Sequence, residues 1–221
     1  MSDIAGRLSI QIATCLLHQP QGGKGILLGG VPAARRGRVV ILGAGVAGRN
    51  AAVVAAGLGA DVVVFDKDRD KLVAARDIGP NVDGLYPHTA DVGEAVRSAD
   101  IVVGAVLVTG ARAPHVVTSD MVRNMQPGSV IVDISVDQGG CVSRRRDRRP
   151  TMRRLTFGEG VTHFTVTNMP GAVPRTSSQA LSAAIAPYAG RLADGDWQDD
   201  GDLRKGINVM AGKVVHPALL S

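Results

Sequence analysis

Residues 38–66 constrain the fold more than any other part of the chain. They read as an apolar run, Arg38-Val-Val-Ile-Leu42, then Gly43-Ala44-Gly45-Val46-Ala47-Gly48, an Ala/Val-rich stretch to residue 58, a second apolar run, Asp61-Val-Val-Val-Phe65, and Asp66. A continuous apolar run suits a strand buried on both faces of a parallel sheet. The glycines have distinct tasks. Gly43 permits a tight turn, Gly45 leaves no side chain in the path of a pyrophosphate, and Gly48 lets the following helix approach the strand. Val46 and Ala47 open that helix, whose unpaired N–H groups and positive dipole end face an anion. Asp66 ends the second strand, where a carboxylate accepts hydrogen bonds from an adenine ribose and repels a 2′-phosphate. The expected cofactor is therefore NAD(H) rather than NADP(H), a preference that Lys67, Arg69 and Lys71 soften. A glycine turn that binds nothing is the competing reading; strand, loop, helix and acid occurring together argue against it.

Beyond this unit, strands and helices alternate. Helices are expected at 2–19, 46–58, 70–78, 92–99, 119–125 (capped by Ser119) and 177–195. Strands are expected at 38–42, 61–65, 100–108, 127–135 and 161–169. The β-α-β-α order predicts an α/β fold, a Rossmann-type doubly wound parallel sheet with an N-terminal helix and a C-terminal helical segment. The implied division is an N-terminal helix and linker (1–30), a dinucleotide-binding domain (31–170) and a C-terminal helix and tail (171–221). Ile4, Leu8, Ile12 and Leu16 recur at helical spacing and form an apolar stripe on the first helix.

Aromatics are only 3% of the chain against 45% hydrophobic residues, so the core must be built from Val, Ala, Leu and Ile. The net charge is +5, and residues 141–160 hold seven arginines against Asp147 and Glu159, so the remainder is close to neutral. A basic stretch without aromatic interleaving does not make a nucleic-acid surface, and no nucleic-acid partner is expected. That stretch stays open between a solvated loop, a contact for a partner or anionic substrate, and a locally altered reading frame. Cys15 and Cys141 are far apart and without metal spacing and read as two reduced thiols, no signal peptide is visible, and no apolar run is long enough to span a bilayer. A cytoplasmic protein with no membrane association is expected. His18, His88, His115, His163 and His216 are scattered without partners at metal spacing, so no metal is expected; only His88 falls near the expected adenosine position.

Asp137 lies just past the strand at 127–135, where the C-terminal ends of parallel strands meet a ligand crevice. A carboxylate there could relay a proton; the alternative is a turn-capping Asp before Gly139-Gly140. Asp133, within the strand, is its rival and reads as structural.

Five further segments, "MSDIAGRLS", "QGGKGILLGGVP", "GAVLVTGARAP", "VDISVDQGG" and "TNMPGAVPRTSS", surround the glycine loop in an order that resembles the alanine dehydrogenase family and the related NAD-binding part of proton-translocating transhydrogenase. The resemblance runs from residue 1 to about 195. It implies that Ser2 contacts the cofactor pyrophosphate, that Lys71 lies near the adenosine, and that Val106 and Leu107 line the nicotinamide side. It also implies that Asp137 matches an acidic residue beside nicotinamide and substrate, in keeping with the catalytic proton-relay role expected from its position, and that Asn168 and Met169 close over the ring. The family's N-terminal substrate lobe, with its substrate-binding Arg and Lys and its catalytic His, has no counterpart among these residues. The arginine-rich stretch departs from the family pattern.

The resemblance implies an NAD(H)-dependent oxidoreductase transferring hydride between nicotinamide and the carbonyl or imine carbon of a small amino-acid-like substrate, with a divergent substrate site. The alternatives are a non-catalytic NAD-binding module or partner subunit, and a truncated alanine dehydrogenase. In each case the apolar stripe of the first helix is expected to be covered in a homodimer or higher homo-oligomer.

Overall fold

The computed structural model describes residues 1–106, 116–136, 139–142, 155–156 and 160–220. The chain divides into two compact units, residues 2–172 and residues 173–221 with Met1.

The larger unit runs α1 (Ser2–Leu16), β1 (Arg38–Leu42), α2 (Val46–Gly57), β2 (Asp61–Phe65), α3 (Arg69–Arg76), β3 (Val82–Leu85), α4 (Thr89–Ser98), β4 (Ile101–Gly104), α5 (Ser119–Arg123), β5 (Val130–Asp133), β6 (Leu155–Thr156) and β7 (Thr162–Phe164), followed by a 3₁₀ turn at Met169–Ala172. The strands form one sheet in the order β3-β2-β1-β4-β5-β7-β6. Pairing is parallel throughout except between β6 and β7. The order reverses between β1 and β4, so the connections leaving their C-terminal ends pass to opposite faces, α2 on one and α5 on the other, and a crevice opens between them, the usual ligand position of a doubly wound sheet.

Strand alternation builds two apolar layers. Val39 and Ile41 of β1 face a cluster with Ile10, Ala13 and Leu17 at the first helix and Ala51, Ala52 and Ala55 of α2. Val40 and Leu42 face the opposite cluster, with Val92, Ala95 and Val96 of α4 and Val122 of α5. Burying a side chain such as Ile10 or Leu17 contributes about 2 kcal/mol.

The face that α1 buries differs from the expected stripe. Ala5, Gly6, Leu8, Ser9, Ile10 and Ala13 are buried, whereas Ile4, Ile12 and Leu16 are only half-buried. The reason is close helix packing. A Cβ at Gly6 would overlap the carbonyl oxygen of Ala47, so small residues, not the largest ones, mark the contact with α2.

The linker after α1 is anchored at the opposite end of the sheet from the crevice. Lys24 Nζ lies 2.6 Å from Asp100 Oδ1, both side chains largely buried. Asp100 Oδ2 accepts from the backbone N–H of Arg38 at 2.7 Å, and Lys24 N–H donates to the Gly128 carbonyl.

Several local expectations are corrected. The strands expected at 127–135 and 161–169 shorten to Val130–Asp133 and Thr162–Phe164, because the flanking residues turn. Helix α5 is capped by Thr118, whose hydroxyl accepts from Met121 N–H, and not by Ser119, which is its first helical residue. The pair β3 and β6 had no sequence signal: β3 reads Val-Asp-Gly-Leu, an edge strand with only its alternate residues buried.

The smaller unit holds α6 (Pro174–Ala193), α7 (Gly201–Lys205) and a hairpin of β8 (Val209–Met210) and β9 (Lys213–Val214). Asp200 caps α7 by accepting from Asp202 and Leu203 N–H and pairs with Arg191, contacts that hold its carboxyl below the usual range. No helix among the described residues is long and apolar enough to cross a membrane.

Candidate dinucleotide site

The crevice is built around the turn from β1 into α2. Gly43 has φ +98°, the left-handed region that disfavours a side chain, and a Cβ there would approach the Ala105 carbonyl oxygen to 2.6 Å. A Cβ at Gly48 would overlap the Gly43 carbonyl oxygen, so this glycine brings helix and strand together. At Gly45 an added Cβ meets nothing within 4 Å. Packing does not require glycine there, and the space in front of the loop is open. Gly45 is also the N-cap of α2, and no side chain caps the helix. The N–H groups at its start, around Val46 and Ala47, are thus left to an external acceptor.

Asp66 sits half-buried beyond β2. Its Oδ2 accepts from Ala44 N–H at 2.6 Å and its Oδ1 from Asp68 N–H at 2.9 Å. Each carboxylate oxygen can accept two hydrogen bonds, so among the described residues each oxygen keeps room for one further donor, such as a ribose hydroxyl. The loop and the acid therefore fit the two halves of an adenosine diphosphate group. Asp68 in turn caps α3, accepting from Asp70 and Lys71 N–H, and the Lys71 backbone contact leads in holding its carboxyl below the usual range.

The first helix reaches this site. Asn50 of α2 donates to Asp3 Oδ1 at 3.0 Å and to the Val46 carbonyl at 3.0 Å, and accepts from Arg7 Nε at 2.9 Å. Asn50 escaped the sequence reading; its signal is a polar residue four positions after the helix start, facing a neighbouring helix.

On the other side of the switch point, Ala105 N–H donates to the Leu42 carbonyl, and Ile134 N–H to the Gly104 carbonyl. Asp133, fully buried, accepts from Ser135 N–H at 2.9 Å, Cys141 N–H at 3.2 Å and Val142 N–H at 3.4 Å. The Cys141 thiol lies 3.8 Å from Asp133 Oδ1. Burial first, and then the Asp133 charge, push this thiol up to about 12.

Of the residues expected at the site, Gly43, Gly45, Val46, Ala47, Gly48 and Asp66 come together around the turn. Ser2 is exposed at the first turn of α1, next to Asp3 and its Asn50 contact. Lys71 is exposed near the start of α3, 3.4 Å from Asp68 Oδ2. Val106 is half-buried just past β4, and its backbone N–H is directed at the Cys141 sulfur. Asn168 is exposed and its Oδ1 accepts from Gly171 N–H at 3.2 Å. The Met169 side chain is committed to the apolar core. Leu107, Asp137 and His115, and the arginine-rich stretch, lie outside the described residues. No group of His, Cys, Asp and Glu among the described residues is arranged to hold a metal.

A family profile described as "Alanine dehydrogenase/PNT, C-terminal domain" matches residues 9–217. The chain is 48% identical over 225 aligned positions to an alanine dehydrogenase of Geobacillus stearothermophilus, covering 99% of this chain and 60% of that protein. A solved structure of an L-alanine dehydrogenase superposes with a TM-score of 0.92 at 47% identity, covering 99% of this chain and 62% of the other. The transhydrogenase from Sinorhizobium meliloti superposes with a TM-score of 0.81 at 25% identity, covering 98% and 60%. The chain thus spans about 60% of the length of the curated relatives it matches.

Proposed function

The chain belongs to the alanine dehydrogenase/PNT family through its C-terminal domain, and from that premise we propose that it is an NAD(H)-dependent oxidoreductase of alanine dehydrogenase type. Its substrate is a small amino acid on one side of the reaction and the corresponding 2-oxo acid with ammonia on the other. The observation that carries the cofactor is the pairing of an open Gly45 with an Asp66 that retains one acceptor site per oxygen.

In this reading the N–H groups at Val46 and Ala47 hold the pyrophosphate, with Ser2 beside them. Asp66 takes the adenosine ribose hydroxyls and sets a negative charge against a 2′-phosphate, with Lys71 close by. The nicotinamide half would lie on the β4–β5 side, with Val106 and Asn168 available to it; the family resemblance adds Leu107, and Met169 would support that side from the core rather than touch the ring. When bound, nicotinamide supplies the hydride chemistry, so the chain need only bind, orient and manage a proton. Asp137, four positions along the sequence from Asp133, is assigned that proton from the family resemblance.

A homo-oligomer fits the partly open side of α1, where Ile4, Ile12 and Leu16 keep some exposure. Ile12→Asp is the informative substitution, since Leu8 is already buried within the chain. An unchanged sedimentation profile for Ile12→Asp would remove that surface from consideration. Both described thiols are free, in keeping with a reducing compartment such as the cytoplasm.

The test is NADH and NADPH titration by calorimetry, together with NADH consumption in the presence of ammonia and a panel of 2-oxo acids. Tighter binding of NADH than NADPH, with turnover of at least one 2-oxo acid, is the expected result. Failure to bind NADH overturns the proposal. Binding without turnover on any 2-oxo acid would assign an NAD-binding module instead.

A further inference from the structure

We infer that Asp133 is a positioning residue: from the end of β5 it ties together the start and the finish of the loop that follows, and so shapes the β4–β5 side of the dinucleotide crevice. The inference rests on the dinucleotide reading above and assigns a task within that site to a residue the sequence alone presents as ordinary strand.

The geometry is that of a clamp. Asp133 is 0% exposed. Oδ1 accepts from Ser135, at the start of the loop, and Oδ2 from Cys141 and Val142, at its finish. Between them the chain reverses through Gly139 and Gly140, and Gly140 N–H closes back on the Ser135 carbonyl at 3.0 Å. The returning segment is then locked to its neighbours: Val116 N–H donates to the Cys141 carbonyl, and Val142 bridges Val117.

Two contacts carry this clamp into the crevice. Val106 N–H is directed at the Cys141 sulfur, so the first residue beyond Ala105 is seated on a side chain that Asp133 holds. Gly104 has no room for a side chain, since a Cβ there would overlap Cys141 Sγ and come within 3.1 Å of Asp133 Oδ1. Through Gly104 and Ala105 the clamp abuts the glycine loop, whose Gly43 packs on the Ala105 carbonyl. Asp66 lies on the opposite side of that loop, beyond β2. Loss of the clamp should therefore disturb the half of the ligand beyond the pyrophosphate and leave the adenosine half alone.

A carboxylate suits this task where an amide does not. Several backbone N–H groups converge on two oxygens away from water, and each buried N–H left unpaired costs free energy. Asparagine would offer one oxygen and turn an NH₂ toward the remaining donors.

The experiment uses the full chain and two probes, ADP-ribose, which lacks the nicotinamide, and NADH. Asp133→Asn should bind ADP-ribose within about twofold of the wild type. It should bind NADH roughly tenfold more weakly and lose the fluorescence change of the bound nicotinamide. Cys141→Ala, a milder change that keeps the carboxylate, should weaken NADH about threefold and leave ADP-ribose unmoved; it decides the matter if Asp133→Asn does not fold. Equal weakening of both probes, or no change in either, overturns the inference. If the wild type binds neither probe, the dinucleotide reading is what fails. Alkylation by iodoacetamide then tests the clamp alone: Cys15 only should react in the wild type, Cys141 as well in Asp133→Asn, and a Cys141 that stays protected in the variant overturns it.

Discussion

The backbone N–H of Ala44 donates to Asp66 Oδ2 at 2.6 Å, so the acid beyond β2 and the glycine loop beyond β1 form one hydrogen-bonded unit. Under the proposed function, the residue that would select the ribose also fixes the loop that would hold the phosphates.

Substitution of Asp66 should therefore have two effects. Asp66→Asn removes the charge that opposes a 2′-phosphate and replaces one acceptor with an NH₂. NADH affinity should fall about tenfold, a loss of about 1.4 kcal/mol, while NADPH affinity falls less, so that the NADH/NADPH ratio narrows. Calorimetry with both nucleotides checks this. An unchanged ratio would remove Asp66 from the selectivity argument.

Two glycines of the same turn should respond in opposite ways. Gly45→Val meets open space in the ligand-free protein and has ordinary backbone angles, so stability should change by less than about 1 kcal/mol while NADH binding is lost. Gly48→Ala would press a methyl group onto the Gly43 carbonyl, and stability should drop by roughly 1–3 kcal/mol or more. Urea denaturation alongside NADH titration separates the two. Equal destabilisation by both would contradict the assignment of Gly45 to ligand clearance.

The pair of Lys24 and Asp100 should contribute to stability without touching the site. Lys24→Met leaves the Asp100 carboxylate largely buried, with the Arg38 N–H but no cation. Breaking a buried pair costs about 3–5 kcal/mol, and the lower end is expected here because both side chains retain a little exposure. NADH affinity of the folded fraction should be unaffected, since the pair sits at the far end of the strands.

Cys141 predicts a pH dependence on the alkaline side. Its thiol is raised from an ordinary 9.0 to about 12 in the folded chain. Below pH 9 both folded and unfolded thiols are protonated and the group has no effect. Between 9 and about 12 the unfolded thiol releases its proton while the folded one keeps it, so stability falls as pH rises through that window. The wild type should lose stability between pH 8.5 and 10.5 more steeply than Cys141→Ser, whose hydroxyl does not titrate there. Parallel denaturation curves for the two proteins would rule out this linkage.

The strand, glycine loop, helix, second strand and acid of residues 38–66 were legible from local pattern, and the elements appear at 38–42, 46–57 and 61–65. The edge strand β3 and the β6–β7 pairing were not. Four residues containing Asp83 and Gly84 carry too little pattern to announce a strand, and their pairing is decided by β2 alongside. The first helix was legible as a helix, but its buried face was not, because hydrophobic size pointed to Ile4, Ile12 and Leu16 while contact with α2 selected Gly6 and Ala13.

What the sequence by itself determined is the identity and order of the nucleotide-binding unit. Strand periodicity, glycine spacing and the acid after β2 act over short stretches, and local physics suffices to read them. What only the tertiary structure decided is which distant residues meet. The Asp66 contact with Ala44, the seat of Gly6 on Ala47, and the clamp from Asp133 to Cys141 and on to Val106 all join residues separated along the chain. Their partners are set by the stacking of parallel strands and the docking of α1 on α2, and no local pattern encodes that geometry.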